Sequence, residues 1–237
     1  MLAASGTASA VTTFQFSTQS GSGNAAGNSF SMVAGGITVT ETAWWLNTTA
    51  PVAGSTFGKA SLDAFSGNGL GVCNPTEGVG CSDPSHQVDN SGQLDFILLA
   101  FSSPVNLSSI VLNHFSAAVT GGGEDADLTF WTLSSGLTTS STYGGLGAGT
   151  TFNNSVPCSG SGCLVTDNFS NVNNVSYLLV AAATSNPDAT LDSFKLQALN
   201  VSSSSAATPE PASLAMMGSG LLACAAFLRR RKKQHSK

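Results

Sequence analysis

In several stretches between residues 11 and 199, apolar side chains fall at alternating positions, with Thr, Ser and Gln between them. That spacing belongs to strands with one buried face, and no run of strong helix formers interrupts it. The first such stretch carries Val11, Phe14 and Phe16. Residues 30–34 and 37–45 form the next two, joined by Gly35 and Gly36, a pair suited to a tight hairpin. Further strands are expected at 96–101, 108–115, 128–133, 175–183 and 189–199, with Ser103-Pro104 breaking the pattern between the first two of these. The apolar run 175–183 reads as a central strand buried on both faces. Residues 47–82 and 136–155 are rich in Gly, Ser, Thr, Asn or Pro and poor in strand signals. Short strands with turn residues between them predict an all-β fold, an antiparallel β-sandwich of jelly-roll or Ig-like type.

The pattern changes completely at the C-terminus. Pro209-Glu210-Pro211 is followed by an uncharged run, 212–228, and then by Arg229, Arg230, Arg231, Lys232 and Lys233. Ala, Leu, Met, Gly and Phe occupy all sides of the run, so a helix there has no polar face with which to pack as a surface helix. Its 17 residues would span about 25 Å, a little short of a hydrocarbon core of roughly 30 Å. Snorkelling arginines and local thinning would make up the difference. The basic block would stay cytoplasmic, and Pro211 suits a helical first turn. A buried soluble helix and a plain tail anchor are the competing readings. The ordered set of triplet, short apolar helix and basic block resembles the PEP-CTERM sorting signal of Gram-negative bacteria. The resemblance implies recognition by an exosortase, a membrane-embedded transpeptidase that removes the tail. The segment "HQVDNSGQLDFILLAF" is also similar to one recurrent among ectodomains carrying that signal, which have no assigned activity.

Charge sharpens this division. The chain of 237 residues has only 9% charged residues and a net charge of −5. Lys59 and Lys195 are the only Lys or Arg before residue 209, and all the acidic residues lie at or before Glu210. A body without a basic stripe is not a nucleic-acid binder. The expected layout is a signal-peptide remnant at 1–10, an ectodomain at 11–200 and a flexible linker at 201–208. A sorting and anchor segment at 209–233 and a cytoplasmic tail at 234–237 complete it. Ala8-Ser9-Ala10 fits an A-x-A cleavage pattern, although no basic, apolar leader precedes it in the sequence. Export would let Cys73 pair with Cys81 and Cys158 with Cys163; four cysteines allow three pairings, and a zinc site is the rival reading.

Candidate chemistry in the body is sparse. Asp83, His86, Asp89, Asn90 and Asp95 crowd a turn-rich segment, and Asp125 and Asp127 share a parity before the 128–133 strand. Asp89, Asn90, Asp95, Asp125 and Asp127 together could supply oxygen ligands to Ca²⁺, or could simply cap turns. Trp44 and Trp45 are either a sugar-stacking platform or core residues. His86, Asp89 and one of many serines can be drawn as a triad, but no nucleophile elbow, zinc helix or phosphate loop supports it. The expectation is an exported, exosortase-sorted surface or matrix protein without catalytic activity, associated with exopolysaccharide or biofilm. A carbohydrate- or calcium-binding module is the alternative, and a polysaccharide hydrolase is a third reading.

Overall fold

The computed structural model describes residues 10–21, 25–48, 50–77, 86–114, 125–154, 163–184 and 191–204, which fall in one compact unit, Ala10–Ser204. The expected helix at 212–228, the sorting triplet, the basic block and the leader remnant at 1–9 lie outside the described residues. Among the described residues there is no helix long and apolar enough to cross a membrane.

The described chain is mostly β and antiparallel. Its strands are β1 (Val11–Gln15), β2 (Ser29–Ala34), β3 (Ile37–Leu46), β4 (Gly58–Lys59), β5 (Ser61–Phe65), β6 (Gly69–Cys73) and β7 (Val88–Asp89). They continue with β8 (Leu94–His114), β9 (Leu128–Leu133), β10 (Thr150–Phe152), β11 (Cys163–Asn168), β12 (Val175–Ala182) and β13 (Ser193–Ser203). Two single 3₁₀ turns, Phe16–Thr18 and Tyr143–Leu146, are the helical elements among the described residues.

Everything hangs on β8, whose 21 residues replace the two strands expected on either side of Pro104. Its first part pairs with β3 on one side (Val39 opposite Phe101, Leu46 opposite Leu94) and β12 on the other (Leu178 opposite Leu99). Its second part pairs instead with β13 (Leu199 opposite Ile110) and β11 (Val165 opposite Leu112). Pro104 sits where the partners change, a place where a missing N–H breaks no ladder. Its carbonyl still accepts from the backbone N–H (3.3 Å) and hydroxyl (2.7 Å) of Ser204. Proline therefore marks a change of partner within one strand.

Alternation along these strands sorts the apolar residues onto two faces. Val39, Ala43, Ile97, Leu99, Leu178, Val180 and Phe130 enter a main core, as do Phe14, Leu70, Ile110, Leu112, Leu196 and Leu199 from the second part of the sheet. Residues of the opposite parity, Trp44, Leu46, Phe96, Leu98, Trp131 and Leu179, form a smaller cluster with Phe57, against which Leu137, Tyr143 and Leu146 pack. That is why β12 is apolar on both faces, as its unbroken Leu and Val run predicted.

The segment 47–82, which lacks strand signals, nonetheless contributes β4, β5 and β6. Glycine disguised β6: a Cβ on Gly71 would lie 2.3 Å from the His86 carbonyl oxygen, so the strand needs a residue without a side chain where another backbone comes close. At the other end, β13 runs to Ser203, so part of the expected 201–208 linker belongs to the last strand. Val11 of β1 stands opposite Ser202 of β13, which brings the two ends of the described body together.

Candidate functional site

The residues expected to share one cation site divide into two groups. The first is built where three segments meet: the chain leading into β9, the residue before β13, and the end of β7. Asp125 and Asp192 form a parallel bridge, with the Asp125 N–H on the Leu191 carbonyl (3.2 Å) and the Ser193 N–H on the Asp125 carbonyl (2.9 Å). Asp127 is tied in by the Ala183 N–H on its carbonyl (3.0 Å), while its Oδ1 accepts from the Asn154 N–H. Asp125, Asp127 and Asp192 are all buried, the last two with no exposed surface. One carboxylate oxygen from each lies within 4.8 Å of those from the other two.

Asn90 belongs to this group as a support. Its Nδ2 donates to Asp192 Oδ2 (2.6 Å) and to the Ala183 carbonyl (3.1 Å), and its Oδ1 accepts from the Asp192 N–H (3.0 Å). These bonds hold the Asp192 carboxylate in one orientation. Asp192 Oδ1, also buried, accepts no hydrogen bond. Burial, the hydrogen bond with the Asp125 side chain and the charges of Asp127 and Asp125 push the Asp192 carboxyl up from 3.8 to about 9, against the pull of Asn90. Asp167 is raised too, chiefly by burial, with Asn154 Nδ2 donating to its Oδ2 at 2.9 Å.

The second group joins Asp89 and Asp95 to Glu77. Here each carboxylate already has a donor. Asn74 Nδ2 donates to Asp95 Oδ1 (3.2 Å), the Asn74 N–H to Glu77 Oε2 (2.8 Å), and the Ser91 N–H to Asp89 Oδ1 (2.9 Å). His86 Nδ1 lies 3.7 Å from Glu77 Oε2. Asp95, fully buried, has its pKa raised well above the ordinary value by desolvation and by the charges of Asp89 and Glu77.

The two tryptophans do not make a platform. Successive residues of β3 point to opposite faces; Trp44, 5% exposed, lies in the smaller cluster, and Trp45 packs on the main core. Trp44 Nε1 donates to Thr42 Oγ1 at 3.1 Å. The buried Trp44 indole has no face to offer a sugar ring, while Trp45 is half-buried on the other face of the strand. Cys73 and Cys163 are each disulfide-bonded; the expected pairings end on Cys81 and Cys158, outside the described residues. A thiol in a disulfide is no zinc ligand, which removes Cys73 from its proximity group with Glu77 and His86. His114 is buried with neither ring nitrogen hydrogen-bonded, and desolvation lowers its pKa.

Beyond the described body lies the tail, and here comparison with known proteins decides. Residues 207–232 match the PEP-CTERM protein-sorting motif. The motif implies export, membrane anchoring at the C-terminus and processing by an exosortase. Pro209, Glu210 and Pro211, the apolar run and Arg229, Arg230, Arg231 and Lys232 fall inside the matched span, with Lys233 just beyond it. In comparisons with curated proteins and with solved structures, nothing matches the chain.

Carboxylates that escaped the sequence reading include the buried Asp192 and Glu41 and the exposed Glu77. Asp192 lay within an expected strand, 189–199, and Glu77 within a stretch read as loop. Glu41 had a legible signal: it shares a parity with Ile37, Val39 and Ala43, so the alternation that sends those residues inward sends a carboxylate with them.

Proposed function

We propose that the body is the non-enzymatic cargo of the sorting tail: a surface or extracellular-matrix protein associated with exopolysaccharide or biofilm. The observation that carries the export half of this reading is the PEP-CTERM motif at 207–232. Consistent with it, the body has only Lys59 and Lys195 as cations while the basic residues are concentrated behind the apolar run. The pairing of Val11 with Ser202 also suits a protein trimmed at both ends. Cleavage after Ala10 and removal of the tail would both leave the β1–β13 ladder whole.

For the finer architecture we propose a sandwich of jelly-roll or Ig-like type folded about β8. Its support is the main core, to which strands paired with both parts of β8 contribute. Absence of catalysis is likewise part of the proposal. Its support is that no nucleophile elbow, zinc-binding helix or phosphate-binding loop occurs in the sequence.

The test is to express the full chain, with Pro209→Ala and Glu210→Ala as variants, in an exosortase-bearing host that makes exopolysaccharide. Wild type should collect in the matrix fraction, and the variants should remain with the membranes. Equal matrix recovery of all forms would remove the sorting claim. Depolymerisation of the host polysaccharide by purified protein would remove the non-enzymatic one.

A further inference from the structure

The oxygen-only donor set at the mouth of β9 and β13 invites a cation. We propose that Asp125, Asp127 and Asp192 form a Ca²⁺ site, with Asn90 holding Asp192 in position as a non-ligand support. The inference goes beyond the sorting reading and stands or falls separately from it.

Two independent observations support it. The first is geometric: oxygens bound to one calcium at about 2.4 Å cannot lie more than about 4.8 Å apart, and every pair in this group meets that limit. The second is the Asp192 Oδ1 atom, buried in a fully buried side chain and accepting no hydrogen bond. A carboxylate oxygen in that position loses its hydration and receives nothing in return, a cost of the kind that buried polar groups seldom bear. A bound divalent ion would satisfy it, and would neutralise most of the charge of three clustered carboxylates.

The chemistry of the donors selects the metal. Carboxylate oxygens without imidazole or thiolate favour hard cations over zinc or copper. Calcium accepts such ligands over a range of coordination numbers and geometries, whereas magnesium demands near-octahedral placement and gives up water reluctantly. A cavity of about 280 Å³, lined in part by Asn90, Gly92, Ala183, Thr184 and Leu191 and by none of the three aspartates, lies beside the group at Asn90.

The second acidic group makes a natural control. Glu77, Asp89 and Asp95 each accept a hydrogen bond, and His86 stands against Glu77. Asp95 Oδ2 is nevertheless buried without a partner, which makes this group the rival site, and Asp95→Asn tests it.

The experiment uses the full chain in detergent under non-reducing conditions, with thermal unfolding in EGTA and in CaCl₂ and titration calorimetry with calcium. At calcium about a hundredfold above Kd, the melting temperature should rise by about 5–10 °C, with one ion bound per chain. Asp192→Asn should weaken binding at least tenfold, while Asp95→Asn keeps both the shift and the heat. If Asp192→Asn does not fold, as judged by far-UV circular dichroism, Asp127→Asn is measured in its place with the same expectation. No shift and no heat with wild type overturn the proposal. So does a shift that survives Asp192→Asn, or that Asp95→Asn abolishes instead. An equal shift with MgCl₂ at the same concentration overturns the assignment to calcium.

Discussion

Glu41 offers a quantitative test of the fold. It sits in the middle of β3, opposite Leu99 on β8 and Phe30 on β2, and points into the main core with no exposed surface. Neither carboxylate oxygen completes a hydrogen bond. Burial moves its pKa from 4.5 to about 7, against small opposing effects from its own backbone and the Gln19 side chain. The folded state thus holds this proton more tightly than the unfolded chain does. Its contribution to stability is fully present below pH 4.5 and is lost as pH rises through 7. At about 1.36 kcal/mol per pH unit, the loss reaches about 3 kcal/mol by pH 8. Glu41→Gln keeps the volume and mimics the protonated form. Urea unfolding in EGTA at pH 5, 6, 7 and 8 should find the variant close to wild type at pH 5 and about 3 kcal/mol more stable at pH 8. Asp95, Asp167 and Glu77 are also raised and tilt both proteins the same way, so the difference between the two curves isolates residue 41. A difference that does not change between pH 5 and pH 8 would refute the burial of a protonatable Glu41 in this core.

Other expectations follow from the same packing. Phe96, fully buried between Phe57 (5.1 Å between ring centroids) and Trp131 (6.1 Å), should cost about 3–5 kcal/mol on Phe96→Ala, measured by urea unfolding. Gly71→Ala should destabilise by more than 1 kcal/mol, because the added methyl meets the His86 carbonyl at 2.3 Å and the backbone must move. Asn90→Ala removes the donors to Asp192 and Ala183 and should cost about 2–4 kcal/mol in EGTA, where no ion compensates. Trp44→Ala should lower the melting temperature by several degrees without changing any polysaccharide binding, since its ring is buried.

Much of the body was legible because alternation is local. The β2–β3 hairpin, β9 and β12 lie close to where the period-two pattern put them, and Gly35 and Gly36, both at positive φ, make the turn they promised. Pro104 misled, since proline removes a donor without ending a strand when the neighbours change at that point. Glycine hid β6, where Gly71 lies against the backbone of the distant His86 segment. The candidate cation site was half legible. Asp125 and Asp127 were visible as a same-face pair, but Asp192 reaches them only through a bridge between chain segments 67 residues apart in sequence. No local pattern encodes such a contact. The sorting motif was legible, because triplet, apolar run and basic block are contiguous.

Intact mass and thiol state of the protein recovered from exosortase-positive and exosortase-negative strains would test the central claim most directly. With the exosortase, the released species should lack the apolar run and basic block and carry no free thiol at Cys73 or Cys163. Without it, the tail should be retained and the protein held in the membrane fraction. A full-length chain soluble in the cytosol of both strains, with every cysteine reduced, would contradict the account.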